Sequence, residues 1–103
     1  MNPTLSPDGS RLAWTVRTAN PAGIDLVIVD AATGAVQRRE VVPVNAASAQ
    51  IFDISWRGTT SVALDAAYND FELRTSVAFT IEVVLGERAT FAVVPQSGRA
   101  VPL

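Results

Sequence analysis

Short runs that alternate apolar and polar residues, each ended by a turn sequence, occupy most of this chain. Leu12, Trp14 and Val16 alternate with polar or small neighbours, which is the period of two expected of a strand with one buried face. No long window carries the apolar spacing of three and four residues that an amphipathic helix needs. The pattern therefore predicts an all-β protein, with room for one short helical turn at residues 46–50.

The turn sequences divide the chain into a series of short predicted strands. These are residues 4–5, 11–16, 24–29, 35–42, 51–56, 61–65, a long strand ending at 84, and 88–94. Residues 24–29 are nearly all apolar and β-branched, which indicates an inner strand, whereas the charges at residues 37–40 are typical of an edge strand. Loops are predicted at residues 18–23, at 43–50 and around 68–70.

Two turn sequences in the first half of the chain have defined chemistry. In Ser6-Pro7-Asp8-Gly9 the proline fixes its own φ and the glycine can adopt a positive φ. In the turn at residues 30–34 an aspartate can accept hydrogen bonds from turn amides, and a glycine again permits a positive φ. The residues assigned to turns on these grounds are Ser6, Pro7, Asp8, Gly9, Asp30, Thr33, Gly34, Gly58 and Gly86.

The order of strands and turns repeats after about 50 residues, a period typical of propeller blades. Ser6 aligns with Ser55 at an offset of 49, Leu12 with Val62 at 50, and Val27 with Phe79 at 52. The sequence thus predicts a single domain, residues 1–103, made of blade-like repeats at about 3–50 and 51–103. A self-contained β-sandwich or barrel is the alternative, because a length near 100 residues with frequent turns suits it as well.

At these residues the chain also resembles a known family. The run LSPDGSRLAWTV, followed by DLVIVDAATGAVQRRE and ISWRGTTSVAL, resembles the WD-repeat-like propeller units of the TolB type. The resemblance implies that the turn at residues 6–9 joins the inner two strands of a blade and the turn at 30–34 the outer two. The second unit departs from the pattern, since Trp56-Arg57 replaces Pro-Asp and no Asp-x-x-Thr-Gly turn follows. The resemblance further implies a binding platform in an extracytoplasmic bacterial location, although the residues themselves leave the compartment open.

Composition excludes most catalytic chemistry. The 103 residues include no cysteine and no histidine, so disulfides, thiolate nucleophiles and histidine-based acid–base catalysis are excluded. The net charge is −2 and the basic residues are scattered arginines, so nucleic acid is not an expected ligand. Asp65 with Asp70 or Glu72 could supply a carboxylate pair for metal-assisted or glycosidic chemistry, but a structural role of the aspartates in turns is favoured. Asn69-Asp70 beside Asp65 lacks the spacing of a calcium loop, and no catalytic, metal or cofactor residue is assigned. No apolar run reaches the length of a membrane-spanning helix, so a soluble chain without membrane insertion is expected.

The function expected from this reasoning is a non-catalytic interaction module. Two blades cannot close a propeller ring, so either partner chains complete the ring or longer flanks are missing. Apolar surface should then remain where another protein, another copy or a longer chain packs. The candidate partner surface is Val27, Val29, Trp56, Val77 and Val83, and the predicted core is Trp14, Ile28, Ile54, Leu64, Phe79, Ile81 and Phe91. Burial of all four valines within one chain would favour the sandwich, for which a structural or accessory role is expected.

Overall fold

The computed structural model describes residues 3–70 and 75–95. Within these residues the chain is all-β and contains no helix, which confirms the predicted fold class. Eight strands form two antiparallel four-stranded sheets, each in sequential strand order and neither closed into a barrel. The first sheet comprises β1 (Thr4–Leu5), β2 (Arg11–Ala19), β3 (Ala22–Asp30) and β4 (Val36–Val41). The second sheet comprises β5 (Ala49–Trp56), β6 (Ser61–Asp70), β7 (Thr75–Leu85) and β8 (Ala89–Pro95).

Two hairpins are longer than the sequence predicts. β2 and β3 stay paired as far as Ala19 and Ala22, so the loop predicted at residues 18–23 is wrong. A two-residue connection with a cis peptide bond, Asn20–Pro21, joins the two strands. The loop predicted around residues 68–70 is also wrong, because β6 pairs with β7 through Asn69. In both hairpins, cross-strand pairing overrides residues that favour turns locally.

The turn at Ser6-Pro7-Asp8-Gly9 connects β1 to β2 and is held by one carboxylate. Asp8 Oδ1 accepts hydrogen bonds from Ser6 Oγ at 2.7 Å, Ser10 Oγ at 2.7 Å and Ser10 N at 3.1 Å. These bonds, with that from Ser6 the strongest, lower the pKa of Asp8 from 3.8 to about 2. Gly9 has a φ of 75°, which confirms the expected positive φ.

The turn that connects β3 to β4 is likewise held by an aspartate carboxylate. Asp30 Oδ1 accepts hydrogen bonds from Thr33 N and Ala32 N, both at 2.9 Å. These backbone bonds, that from Thr33 first, lower the pKa of Asp30 below its usual value. Gly34 has a φ of 74°, again as expected, and its N–H donates to Asp30 O at 2.8 Å. The first sheet therefore has an aspartate-held turn at each end of its strand order.

The two sheets bury one face each in a common core. The first sheet contributes Ala13, Ile24, Leu26 and Ile28, joined by Val42 just after β4; the second contributes Ile54, Val62, Leu64, Ala66, Phe79, Ile81, Val83 and Leu85. Ile28, Ile54, Leu64, Phe79 and Ile81 were expected here and are buried. Trp14 and Phe91 were also expected but are only partly buried and pack at the margin of the core. Trp14 misses the centre because its position in β2 is on the opposite face from Ala13.

Polar contacts fix the way in which the sheets stack. Beside the edge strands β1 and β5, Trp56 Nε1 donates to Thr4 O at 3.0 Å, and the Arg11 guanidinium carbon lies 5.1 Å from the centre of the Trp56 ring. Beside the other edge of the first sheet, Arg38 of β4 donates to Gly86 O in the turn between β7 and β8. β1 therefore lies beside β5 and β4 lies beside the β7–β8 turn, so the strand orders of the two sheets run in the same direction.

Candidate interaction surface

The first sheet has a second face that the second sheet does not cover. Antiparallel register puts Leu12 opposite Val29 and Trp14 opposite Val27 on this face. On the same face, Leu5 is opposite Leu12 and Val36 is opposite Val29. Asp25 also lies there, with Val16 opposite it on one side and Val41 on the other. We call this surface the apolar outer face, defined by Leu5, Leu12, Trp14, Val16, Val27, Val29, Val36 and Val41.

Exposure on the apolar outer face rises from its centre to its edges. Val27 and Val29 lie on the inner strand β3 and are only 3% and 4% exposed. Leu5 on β1 is 54% exposed, and Val36 and Val41 on β4 are 63% and 70% exposed. The centre of the face is therefore hardly accessible to solvent, while its rim presents large aliphatic side chains to it.

One ion pair interrupts the apolar outer face. Arg39 of β4 is opposite Val27, and its Nε donates to Asp25 Oδ2 at 2.7 Å. The Asp25 side chain is largely buried, whereas the Arg39 side chain is about half exposed. The two charges cancel, so the face is neutral as a whole while retaining one accessible cationic group.

The outer face of the second sheet has a different character. Register places small and polar side chains there, with three carboxylates and no basic residue among the positions described. We call it the acidic outer face, defined by Asp53, Ser55, Ser61, Ala63, Asp65, Ala67, Ala78, Thr80, Glu82, Val84, Thr90, Ala92 and Val94. Thr80 Oγ1 donates to Asp65 Oδ1 at 2.8 Å, which satisfies polar groups near the middle of this face.

The structure separates the five residues of the predicted partner surface. Val27 and Val29 lie on the apolar outer face, at its shielded centre. Trp56 and Val83 do not belong to a free surface, because Trp56 contacts the first sheet and Val83 is fully buried in the core. Val77 is half-buried opposite Tyr68 on the covered side of the second sheet.

Sequence reasoning missed the exposed rim of the apolar outer face. The charged residues of β4 predicted a polar edge strand, so Val36 and Val41 at its two ends were not considered as surface candidates. The pairing of Val36 with Val29 and of Val41 with Asp25 shows that both extend the apolar outer face. The two valines are visible in the sequence, but the face on which they lie can be assigned only when the register of β3 and β4, including the bulge at Ile28 and Val29, is known.

Metal-ligand clusters and clefts are the other candidate sites among the described residues. No group of three histidine, cysteine, aspartate or glutamate side chains comes together within them. A cleft of about 230 Å³ is lined by Thr15, Arg17, Ile24 and Ile51. There the Arg17 guanidinium is already bonded to the carbonyl oxygens of Ala46 and Ala49. The Asp70 side chain and Glu72 lie outside the described residues.

In the part of the chain that the structure describes, no helix is long and apolar enough to span a bilayer. No protein-family model, curated protein or solved structure matches the chain.

Proposed function

We propose that this chain is a non-catalytic protein-interaction module of the blade-repeat type and that it binds through the apolar outer face. The observation that carries the proposal is a sheet face of eight apolar side chains that no other element of the described chain covers. Contiguous exposed apolar surface is uncommon on monomeric soluble domains and marks sites of association. The exposed rim formed by Leu5, Val36 and Val41 is the part that a partner would bury.

The stacking of the two sheets supports the blade-like interpretation. The sequence repeat aligns Leu12 and Val27 of the first sheet with Val62 and Phe79 of the second. In the second sheet these positions face the core, whereas in the first sheet they lie on the apolar outer face. Equivalent faces therefore do not meet, and the sheets stack front to back, as repeats related by a rotation do. Among residues 3–70 and 75–95, such stacking leaves one face of the first sheet without a neighbouring sheet.

The alternative is a free-standing β-sandwich with a structural role. It is favoured by the continuous core between the sheets and by the burial of Val27, Val29 and Val83. Val83 is buried between the sheets, but Val27 and Val29 lie on the face of the first sheet that points away from the second. Their burial therefore does not distinguish a closed core from an open stack, and Val77 is only half-buried.

Binding of an environment-sensitive apolar dye tests the proposed surface. At low micromolar protein, where association is weakest, 8-anilinonaphthalene-1-sulfonate should bind the native chain with enhanced fluorescence. The double variant Val36→Lys and Val41→Lys should reduce this signal roughly threefold, because it places charges on the exposed rim. The matched control, Val84→Lys with Val94→Lys, changes two exposed valines of the acidic outer face and should leave the signal unchanged.

An equal loss of dye binding in both double variants would contradict the assignment to the apolar outer face. Absence of dye binding by the native chain, together with a monomeric mass at all concentrations, would overturn the interaction module and favour the sandwich. Circular dichroism of each variant checks that the sheets are retained.

A further inference from the structure

We propose that the outer edge of β8 is a strand-addition site, and that its occupant is β8 of a second copy, paired antiparallel about a two-fold axis at Ala92. The site belongs to the second sheet and does not involve the apolar outer face, so it goes beyond the proposed function and does not depend on it. Pairing there would join the second sheets of two copies into one continuous sheet.

The backbone of β8 has hydrogen-bonding groups directed away from its sheet. β8 ends the strand order of the second sheet, and within residues 3–70 and 75–95 it pairs with β7 alone. We call the side of β8 that faces away from β7 the β8 edge.

The register of β7 shows which residues form the β8 edge. The Leu85 N–H donates to the turn between β5 and β6, so the backbone groups of its neighbour Val84 point the other way, toward β8. Val84 is opposite Thr90, whose backbone groups therefore point back toward β7. Alternation along the strand then directs the N–H and C=O of Phe91 and Val93 to the β8 edge.

The other edge strands of the described chain carry features that discourage pairing with a further strand. β1 has only two residues. β4 carries three charged residues and has a bulge in its register with β3. β5 carries Asp53 and has a bulge in its register with β6. β8, in contrast, has seven uncharged residues in continuous register with β7, and its only proline is its last residue. A long, regular and uncharged edge is a template for another strand.

The side chains of β8 also leave apolar surface for a neighbouring strand. Phe91 and Val93 pack at the margin of the core and are only partly buried. Their opposite residues in β7, Val83 and Ile81, are fully buried. Burial therefore decreases from β7 to β8, where the described sheet ends. A strand added at the β8 edge would cover the free sides of Phe91 and Val93.

Self-complementarity selects a second copy as the added strand. Ala92 is the middle residue of β8, so an antiparallel pair with its axis at Ala92 overlaps the full length of both strands. Phe91 of one copy and Val93 of the other both direct their backbone groups to the edge, so they would face each other as hydrogen-bonded pairs. An aromatic side chain opposite a β-branched one is also a favourable cross-strand pair. Backbone and side chains thus match at the same axis, and no like charges meet in the pair.

The other edges of a second copy match β8 less well. β4 would place its three charged side chains beside the apolar and small residues of β8, at a cost in desolvation. β5 would bring Asp53 and a bulge to the same place, and β1 is too short to cover the edge.

Sedimentation equilibrium on the native chain, from about 1 to about 500 μM, tests the dimer. Two strands of seven residues make a small interface, so monomer should prevail in dilute solution and the mass should rise from 10.9 kDa toward twice that value. Ala92→Lys should weaken dimerisation about tenfold or more, because it places like charges directly opposite each other at the axis. Ala92 is exposed and opposite Glu82, so the new lysine suits the fold of the single chain. The matched control Thr59→Lys, at an exposed position in the turn between β5 and β6, should leave the dissociation constant unchanged.

A charge-exchange experiment tests the position of the axis. Ala92→Glu should weaken self-association as Ala92→Lys does, and an equimolar mixture of the two variants should restore a dimer that contains one of each. A mixture that stays monomeric would overturn the axis at Ala92. Circular dichroism establishes that both variants fold; if Ala92→Glu does not, amide exchange of the native chain decides the question.

Amide hydrogen exchange tests the strand pairing directly. The amides of Phe91 and Val93 should exchange readily in dilute solution and become about tenfold or more better protected at the highest concentration. The amides of Thr90 and Ala92, which point toward β7, are the internal control and should be protected at both concentrations.

Each outcome separates the β8 edge from the proposed function. A monomer in which the Phe91 and Val93 amides are protected overturns the strand-addition site, because another part of the same chain must then cover the edge. A monomer whose two amides become protected only with an excess of a synthetic peptide of alternating valine and threonine overturns the second copy as occupant. A monomer with unprotected amides under both conditions overturns the site. Self-association that Val36→Lys with Val41→Lys abolishes and Ala92→Lys does not belongs to the apolar outer face, so it overturns the β8 dimer and leaves the proposed function intact.

Discussion

The two sheets share one strand order but differ in what their outer faces present to solvent. The first sheet exposes Leu5, Val36 and Val41 around the neutral Asp25–Arg39 ion pair, whereas the second exposes the carboxylates of Asp53 and Glu82 together with Phe52, Val84 and Val94. The contrast shows that an identical four-stranded topology sets the positions of side chains but not which face needs a neighbour. That property depends on which residues occupy the two alternating sets of positions.

The hairpin turns of the two sheets also differ, in whether a side chain in the turn accepts hydrogen bonds. Both turns at the ends of the first sheet use an aspartate as a hydrogen-bond acceptor, at Asp8 and Asp30. The corresponding turns of the second sheet contain Gly58 and Gly86, and Gly58 has a φ of 102° while Gly86 does not enter the left-handed region. The first sheet is therefore held locally by its turns, and the second depends more on burial of its larger side chains.

Truncation of Phe79 in the second sheet and of Val27 in the first should give the largest difference between the sheets. Phe79 is fully buried in the core and its ring stacks on Tyr68 with centroids 5.2 Å apart. Phe79→Ala should lower the free energy of unfolding by about 3–5 kcal/mol, because it leaves a cavity between the sheets. Val27→Ala should cost only about 1.5 kcal/mol, since it removes two methyl groups from a face with no sheet above it. Chemical denaturation followed by circular dichroism measures both values.

Similar losses for the two variants would mean that the apolar outer face is as tightly covered as the core. Val83→Ala is a useful control, because Val83 has the same side chain as Val27 but is buried between the sheets. We expect its loss to exceed that of Val27→Ala.

Alanine substitution of the glycines in the turns that follow β3 and β7 should change the free energy of unfolding by an intermediate amount. Gly34→Ala should cost about 1–2 kcal/mol, because an L-residue is strained at a φ of 74° even though nothing lies within 4 Å of its new methyl group. Gly86→Ala should cost less than about 0.5 kcal/mol, as expected of an ordinary surface substitution. Thermal unfolding of the two variants, run side by side, measures the difference, and equal losses would contradict the assigned difference between the turns.

Acidification should give the smallest effect, confined to the turns of the first sheet. The pKa of Asp8 is lowered from 3.8 to about 2, so its folded form favours the carboxylate. The stability that this provides is fully present above the unfolded pKa and is lost as the pH falls through the folded one. Carboxyl chemical shifts from an NMR titration should show Asp8 titrating near pH 2, and the Ser10 amide should lose exchange protection over the same range.

An Asp8 carboxyl that titrates with its unperturbed pKa would show that the bonds from Ser6 and Ser10 do not persist in solution. The variant Asp8→Asn keeps one acceptor oxygen but should remove the pH dependence of the turn.

Local features of the fold were predictable from the sequence, and their extents were not. The positive φ of Gly9 and Gly34 followed from turn chemistry that involves only a few neighbouring residues. The loops expected at residues 18–23 and 68–70 proved wrong because pairing between long strands continues through them. Trp14 was expected in the core from its alternation alone, but alternation does not state which of two apolar faces is covered.

The sequence by itself determined the strand class and the turns with positive φ, because the period of two and the φ requirements of turns are properties of short segments. Tertiary structure decided which face of each sheet is buried. β3 is apolar on both sides, with Leu26 and Ile28 on one face and Val27 and Val29 on the other, so its sequence is compatible with either choice. The contacts of Trp56 with Thr4 and of Arg38 with Gly86 set the stack, and thereby leave Val27 and Val29 on the uncovered side.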